Sequence, residues 1–201
     1  RELTTINFEF EGKTYHTGSN YNWKTTGEGL KRLASLGRIE VVGDILRYRR
    51  YFTDFPVNPI TNWWPGGGAT RIVYVVQTAE RPIARCILMA TDPGDLVFDP
   101  TCGSGTTAYV SEQRGRRWIT CDTSRVATTL AKQRLMGAAF DYYRLAHPDE
   151  GVGSGFEYKK VPHVQLKSIA NNEPPGEETL YDQPLVDTSR ARVSGPFTVE
   201  A

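Results

Sequence analysis

The sequence predicts an α/β fold, on three observations. Residues 96–98, Leu-Val-Phe, read as a short apolar strand that runs straight into a glycine-rich loop, Asp99 to Gly105. A helical stretch follows at 106–113. The alternation then repeats, with a strand at 118–121 and a helix at 125–136. Strand, loop, helix, strand, helix is a βαβα unit, which implies parallel strands joined by right-handed crossovers. The length agrees, since 201 residues make one domain with extensions at about 150 residues per domain. Hydrophobic residues at 39% and charged residues at 23% belong to a chain that can bury a core.

Taken in order, residues 1–70 mix short polar and aromatic stretches with turn signals and end in Pro65-Gly66-Gly67-Gly68, a flexible break. Within them, 29–36 reads as a short helix and 41–52 as strand-like, carrying Val41, Val42, Ile45, Leu46, Tyr48 and Tyr51. Residues 72–76, Ile-Val-Tyr-Val-Val, form a β-branched run of the buried-strand type. Pro82 suits the first turn of a helix, and Ile83, Cys86, Ile87 and Ala90 share one face of it. Asp92-Pro93-Gly94-Asp95 turns the chain into the strand at 96–98. Gly115 closes the helix at 106–113, and Ser124 caps the one at 125–136. Beyond it, 151–155 and 171–176 read as loops and 158–169 as a strand pair or one long strand, an extension packed on the sheet.

Charge and cysteine content bound the function. The net charge is +1, yet residues 1–135 carry 18 basic and 13 acidic side chains while 136–201 carry 6 and 10. The first part thus permits a polyanion partner. Three cysteines, Cys86, Cys102 and Cys121, contain no CxxC pair, which points away from a disulfide framework or a zinc site and toward a reduced, cytoplasmic compartment. His16, His147 and His163 are scattered without ligand spacing, so no metal is expected. No apolar run approaches the ~20 residues of a membrane span, and no signal-peptide pattern opens the chain. The start at Arg1, with methionine only at 89 and 136, reads as a piece of a longer protein.

The sharpest signal is Asp99-Pro100-Thr101-Cys102-Gly103-Ser104-Gly105-Thr106-Thr107, between a strand and a helix. Gly103 and Gly105 allow a tight turn and close approach of a ligand, and the helix start offers unpaired N–H groups. Asp122 lies 23 residues after Asp99, where an acid commonly holds ribose hydroxyls. Together they describe a pocket for an adenosine-type cofactor. Gly103 to Ala108 also matches, loosely, the dinucleotide fingerprint G-x-G-x-x-G/A, so an NAD(P)-type domain is the alternative. Asp99 argues against it, because a carboxylate there repels a pyrophosphate and favours a ligand carrying an ammonium and a sulfonium. S-adenosylmethionine has both.

This loop, with Asp92-Pro93-Gly94-Asp95 before it, resembles the cofactor motif of the amino-methylating DNA methyltransferases. Among these it is most similar to the circularly ordered group that includes the modification subunits of type III restriction systems. The resemblance implies a Rossmann-like, S-adenosylmethionine-dependent methyltransferase fold, present here in part, over residues 71–136. Gln77, Thr78 and Pro82 match a Q-K-P-like motif from which Ala79, Glu80 and Arg81 depart. Gln77 and Thr78 are thereby cofactor contacts, and Asp122, Thr123 and Ser124 follow the family's second strand and its ribose-binding acid. The resemblance implies double-stranded DNA as partner, with a restriction subunit or second methylase subunit beside it, and adenine ahead of cytosine as the base. The family's catalytic tetrapeptide, Asp or Asn before Pro-Pro and an aromatic residue, is absent, since Pro174-Pro175 stands between Glu173 and Gly176. No catalytic residue is therefore assigned, and the expectation is a cofactor site without methyl transfer.

Residues 1–70 are expected to face DNA. Arg47-Tyr48-Arg49-Arg50-Tyr51 interleaves cations with aromatics, as backbone-tracking surfaces do, with the solvated face of an edge strand as the leading alternative. Trp63-Trp64 stacks on a base or anchors a loop. Cys102, in a loop with no base nearby in sequence, reads as a packing residue before a nucleophile. A non-catalytic DNA-binding or subunit-interface module with a vestigial pocket is the third alternative.

Overall fold

A computed structural model describes residues 4–18, 21–65, 68, 72–75 and 77–200. In chain order the strands and helices are β1 (Phe8–Phe10), β2 (Lys13–Tyr15), α1 (Gly27–Ser35), β3 (Ile39–Val42), β4 (Ile45–Tyr48), α2 (Glu80–Ala90), β5 (Leu96–Asp99) and α3 (Thr106–Gln113). They continue as β6 (Arg117–Thr120), α4 (Arg125–Met136), β7 (Ala139–Tyr143), β8 (Tyr158–His163), α5 (Leu166–Asn171), β9 (Gly176–Pro184) and β10 (Val186–Val193). The chain divides into two compact units, Arg1–Pro59 with Lys160–Thr179, and Ile60–Lys159 with Leu180–Ala201.

In the first unit, β1 and β2 form an antiparallel hairpin whose two-residue turn puts Glu11 and Gly12 at positive φ. Thr26 caps α1 by accepting the Gly29 N–H at 3.3 Å, and Leu30 and Leu33 turn inward. They pack with Phe8, Ile39 and Ala170 into one buried cluster. The strand-like stretch 41–52 is a hairpin, with β3 and β4 antiparallel about Gly43 at φ 63°. A Gly-Asp pair between apolar runs is a hairpin signal. The stretch 158–169 is β8 followed by α5, because Leu166, Ile169 and Ala170 recur at helical spacing toward the core while Gln165 and Ser168 cap the start.

The second unit holds the βαβ element. β5 and β6 are parallel, Leu96 opposite Arg117 through Asp99 opposite Thr120, with α3 as the crossover. Ser124 caps α4 through the Ala127 N–H. Small residues bring α3 and α4 close, with Ala108, Ala127 and Ala131 all buried. β7 pairs antiparallel with β10, from Ala139 opposite Val193 to Tyr143 opposite Val186. Two expectations fail here. Residues 72–75 form no strand, and Ile72 and Val75 are 71% and 78% exposed; Val76 lies outside the described residues. A buried-type strand needs a sheet neighbour, and β5 pairs with β6 alone among the described residues. Helix α2 starts at Glu80, so Pro82 does sit in its first turn. Of its expected buried face only Ile87 is fully buried, while Cys86 and Ala90 are exposed; among the described elements α2 packs chiefly on α3. Among the described residues no helix is long and apolar enough to cross a membrane.

Candidate functional site

The site starts where β5 and β6 end side by side. The chain leaves β5 at Asp99, whose Oδ1 accepts the Thr101 N–H at 3.0 Å, and Cys102 N–H donates to the Cys121 carbonyl at 2.9 Å. The loop is thus stitched to the end of the neighbouring strand. Gly103 and Gly105 lie at φ 51° and 74°, in the left-handed region that glycine occupies at little cost. A Cβ on Gly105 would come within 2.7 Å of Ala131 Cβ, so this glycine also permits the close approach of α3 to α4.

Asp122 closes the arrangement. Its Oδ2 accepts the Gly103 N–H at 2.9 Å and its Oδ1 the Ser124 N–H at 2.8 Å. These N–H groups, Ser124 first and Gly103 next, hold its carboxyl below the usual carboxylate range. Burial pushes the Cys102 thiol up, and the carboxylates of Asp122 and Asp99 add to this. Cys102 is therefore a protonated packing residue at neutral pH, its Sγ 3.5 Å from the Gly103 carbonyl.

Around this loop lies a cavity of about 390 Å³, within the range of small-ligand sites. Ten of the residues expected to touch a cofactor line it: Gln77, Thr78, Asp99, Thr101, Cys102, Gly103, Ser104, Thr106, Thr107 and Asp122. Pro100, Gly105, Thr123 and Ser124 stand outside the lining; Gly105 is buried in the turn, and Ser124 is engaged as the cap of α4. Tyr74, Val75 and Ile83 line the cavity as well, beyond the expected set. Tyr74 and Val75 fall in the run that reads as a strand, which hides them. Among the described residues the lining carries two carboxylates and no lysine or arginine. It suits a ligand with positive charge and hydroxyls, and Asp122 already occupies the Gly103 N–H that a phosphate would seek.

Arg47, Arg49 and Arg50 are in the first unit, in and after β4, and all three are exposed. Arg49 Nε stands 3.7 Å from Glu40 Oε2. Nearby, Arg38 grips the buried Asp54 through two nitrogens at 2.6 and 2.9 Å. Among the described residues no group of three His, Cys, Asp or Glu side chains is placed to hold a metal ion.

The parallel β5–loop–α3–β6 arrangement thus brings two carboxylates, Asp99 at the end of β5 and Asp122 just past β6, to one cavity. Comparison with known proteins narrows this. Residues 42–133 match the DNA methylase family of the N6/N4 kind. A segment of 59 residues, 29% of the chain, is 41% identical to the type II methyltransferase M2.DpnII of Streptococcus pneumoniae and covers 22% of it. Another of 64 residues, 32% of the chain, is 38% identical to the type II methyltransferase M.XycI of Xanthomonas campestris pv. cyanopsidis and covers 21% of it. Over 35 residues, 17% of the chain, identity to the type II methyltransferase M.BamHI of Bacillus amyloliquefaciens is 60%, covering 8% of that protein. The chain thus spans about a fifth or less of the curated relatives it matches. No solved structure matches it. Over these segments the chain is similar to DNA methyltransferases. These three relatives are described as type II, and they do not confirm the likeness to type III modification subunits.

Proposed function

We propose that this chain is the S-adenosylmethionine-binding part of a site-specific DNA methyltransferase that modifies an exocyclic amine, adenine in preference to cytosine. The observation that carries the reading is the cavity around the glycine loop, walled by Asp99 and Asp122, with no lysine or arginine among its described lining residues. Asp99 would take the methionine ammonium, since its Oδ2 has no partner among the described residues. Asp122 would hold the ribose hydroxyls with the lone pairs left over from Gly103 and Ser124. The loop from Gly103 to Thr107 would line the methionine portion, with Gln77 and Thr78 on the facing wall. When bound, the cofactor supplies an electrophilic methyl group.

The chain's own contribution is orientation: fixed acceptors at both ends of the ligand hold it still before the target amine arrives. Presenting that amine requires the base to leave the duplex, and the tetrapeptide that would receive it does not occur in this sequence. In this reading double-stranded DNA is the substrate, Arg47, Arg49 and Arg50 contact its backbone, and transfer awaits the missing tetrapeptide, on another part of a longer chain or on a second methylase subunit. The resemblance of the glycine-loop motif keeps the type III modification subunits, with their restriction partner, as a subclass to test.

Calorimetric titration with S-adenosylmethionine, and with NAD in parallel, tests this. Binding of the methyl donor and not of NAD is expected. NAD binding, or binding of neither, would refute it. Incubation with duplex DNA and labelled cofactor should give no N6-methyladenine or N4-methylcytosine from this chain alone.

A further inference from the structure

One side chain ties together both walls of this cavity without lining it. Arg134 sits in the last turn of α4, and its side chain is 18% exposed. Its Nη1 donates to Thr106 Oγ1 at 3.0 Å and lies 3.4 Å from the Ser104 carbonyl and 3.5 Å from Ser104 Oγ. Its Nη2 pairs with Glu80 Oε1 at 2.6 Å, at the first turn of α2. Its guanidinium lies 4.5 Å over the Tyr109 ring of α3. Thr106 in turn donates from Oγ1 to the Thr78 carbonyl at 3.4 Å. One planar cation therefore spans the glycine loop, the start of α2 next to Gln77 and Thr78, and the ring of α3. Lysine could not copy this: one ammonium cannot reach Glu80 and Thr106 in a fork and cover the ring as well.

We infer that Arg134 is a positioning residue for the cofactor, a strut that sets the distance between the glycine loop and the Gln77–Thr78 wall; this rests on the S-adenosylmethionine reading above. Ser104 and Thr106 line the cavity and are 4% and 6% exposed. Releasing them frees the loop backbone that Gly103 and Gly105 already make pliant. The effect should fall on affinity beyond any loss of stability, which separates a strut from a packing residue.

Arg134→Met, Arg134→Lys and Leu135→Ala are compared with the unaltered chain by thermal unfolding and by calorimetric titration with S-adenosylmethionine at a temperature where all remain folded. Leu135 is 2% exposed in the same helix and touches no wall of the cavity, so its truncation controls for stability. Arg134→Met should weaken binding about tenfold or more, the scale of losing charge-assisted hydrogen bonds. Arg134→Lys should restore part of it, and Leu135→Ala should lower the unfolding temperature while leaving affinity within about twofold. Equal affinity in Arg134→Met and the unaltered chain would overturn the inference alone. So would a loss in Leu135→Ala matching that in Arg134→Met. Failure of the unaltered chain to bind would overturn the S-adenosylmethionine reading and the strut with it.

Discussion

Replacing Gly105 by alanine separates two roles that the glycines of the loop share only in part. Both Gly103 and Gly105 have positive φ, at 51° and 74°, so an alanine at either costs about 1–2 kcal/mol of backbone strain. Their surroundings differ. A Cβ at 103 would meet the Tyr74 ring at 3.5 Å, an ordinary separation. One at 105 would stand 2.7 Å from the Ala131 methyl and 3.0 Å from the Ala131 backbone, where something must move. Overpacking of this kind costs about 1–3 kcal/mol. Gly105→Ala should therefore destabilise by about 2–5 kcal/mol and Gly103→Ala by about 1–2. Urea unfolding followed by circular dichroism measures the difference, with Ala131→Gly in each background as the internal test. Removing the Ala131 methyl should relieve Gly105→Ala by about 1 kcal/mol or more beyond additivity and Gly103→Ala not at all. Relief should be partial, since the backbone of residue 131 would still crowd the new methyl. Equal costs at the two positions, or no coupling to Ala131, would refute the close α3–α4 approach as the reason for this glycine.

The remaining predictions concern charge and reactivity. Asp54 is 3% exposed; burial alone would raise its carboxyl, but the Arg38 guanidinium and the Tyr51 N–H hold it below its ordinary value. Arg38→Met should thus cost about 3–5 kcal/mol by stranding a buried carboxylate, read as faster amide exchange in α1 and in β3–β4. A lowered folded pKa stabilises fully above the unfolded value of about 3.9 and loses this as pH falls through the folded one. The unaltered unit should therefore weaken only in acid, and a flat profile there would contradict the pair. Iodoacetamide at neutral pH should label the exposed Cys86 and Cys121 well before Cys102, which is buried with its thiol pushed up; mass spectrometry showing Cys102 labelled first would overturn its packing role. Asp122→Ala should weaken S-adenosylmethionine binding about tenfold or more, and unchanged affinity in titration would remove its ribose role.

How much could be read in advance follows from how local each cause is. The glycine loop was legible because its determinants lie together in residues 96–107: a strand, an acid, two glycines that turn, and a helix start. The β3–β4 hairpin and α5 had local signals too, Gly43-Asp44 and the Leu166, Ile169, Ala170 spacing, which the β-branched and mixed apolar stretches around them masked. β10 had none of comparable strength: its sequence, Val-Asp-Thr-Ser-Arg-Ala-Arg-Val, is largely exposed, and its partner β7 ends 43 residues before it begins. Arg134 was not legible, since its bonds to Ser104 and Thr106 span 30 and 28 residues and exist only once α3 and α4 pack. Residues 72–75 show the reverse error, for β-branched composition states that a segment would fit a buried strand, and only a free sheet neighbour decides whether it becomes one.

The charge of the site bears on cofactor choice more than the glycine pattern does. Glycine loops before a helix serve phosphates when their N–H groups are free to converge on an anion. Here Asp122 takes the Gly103 N–H for itself, so the group a pyrophosphate would use is already bound to a carboxylate. The same bond, with that from Ser124, keeps Asp122 ionised to lower pH than an ordinary aspartate. A phosphate ligand would have to displace that carboxylate and then lie beside it, whereas a cationic ligand leaves both N–H bonds intact and gains attraction. In the proposed reading the preference for a cation is thus a consequence of how the loop is held in shape, and it would survive changes of side chain at Thr101, Ser104 or Thr107 that leave Gly103 and Asp122 in place.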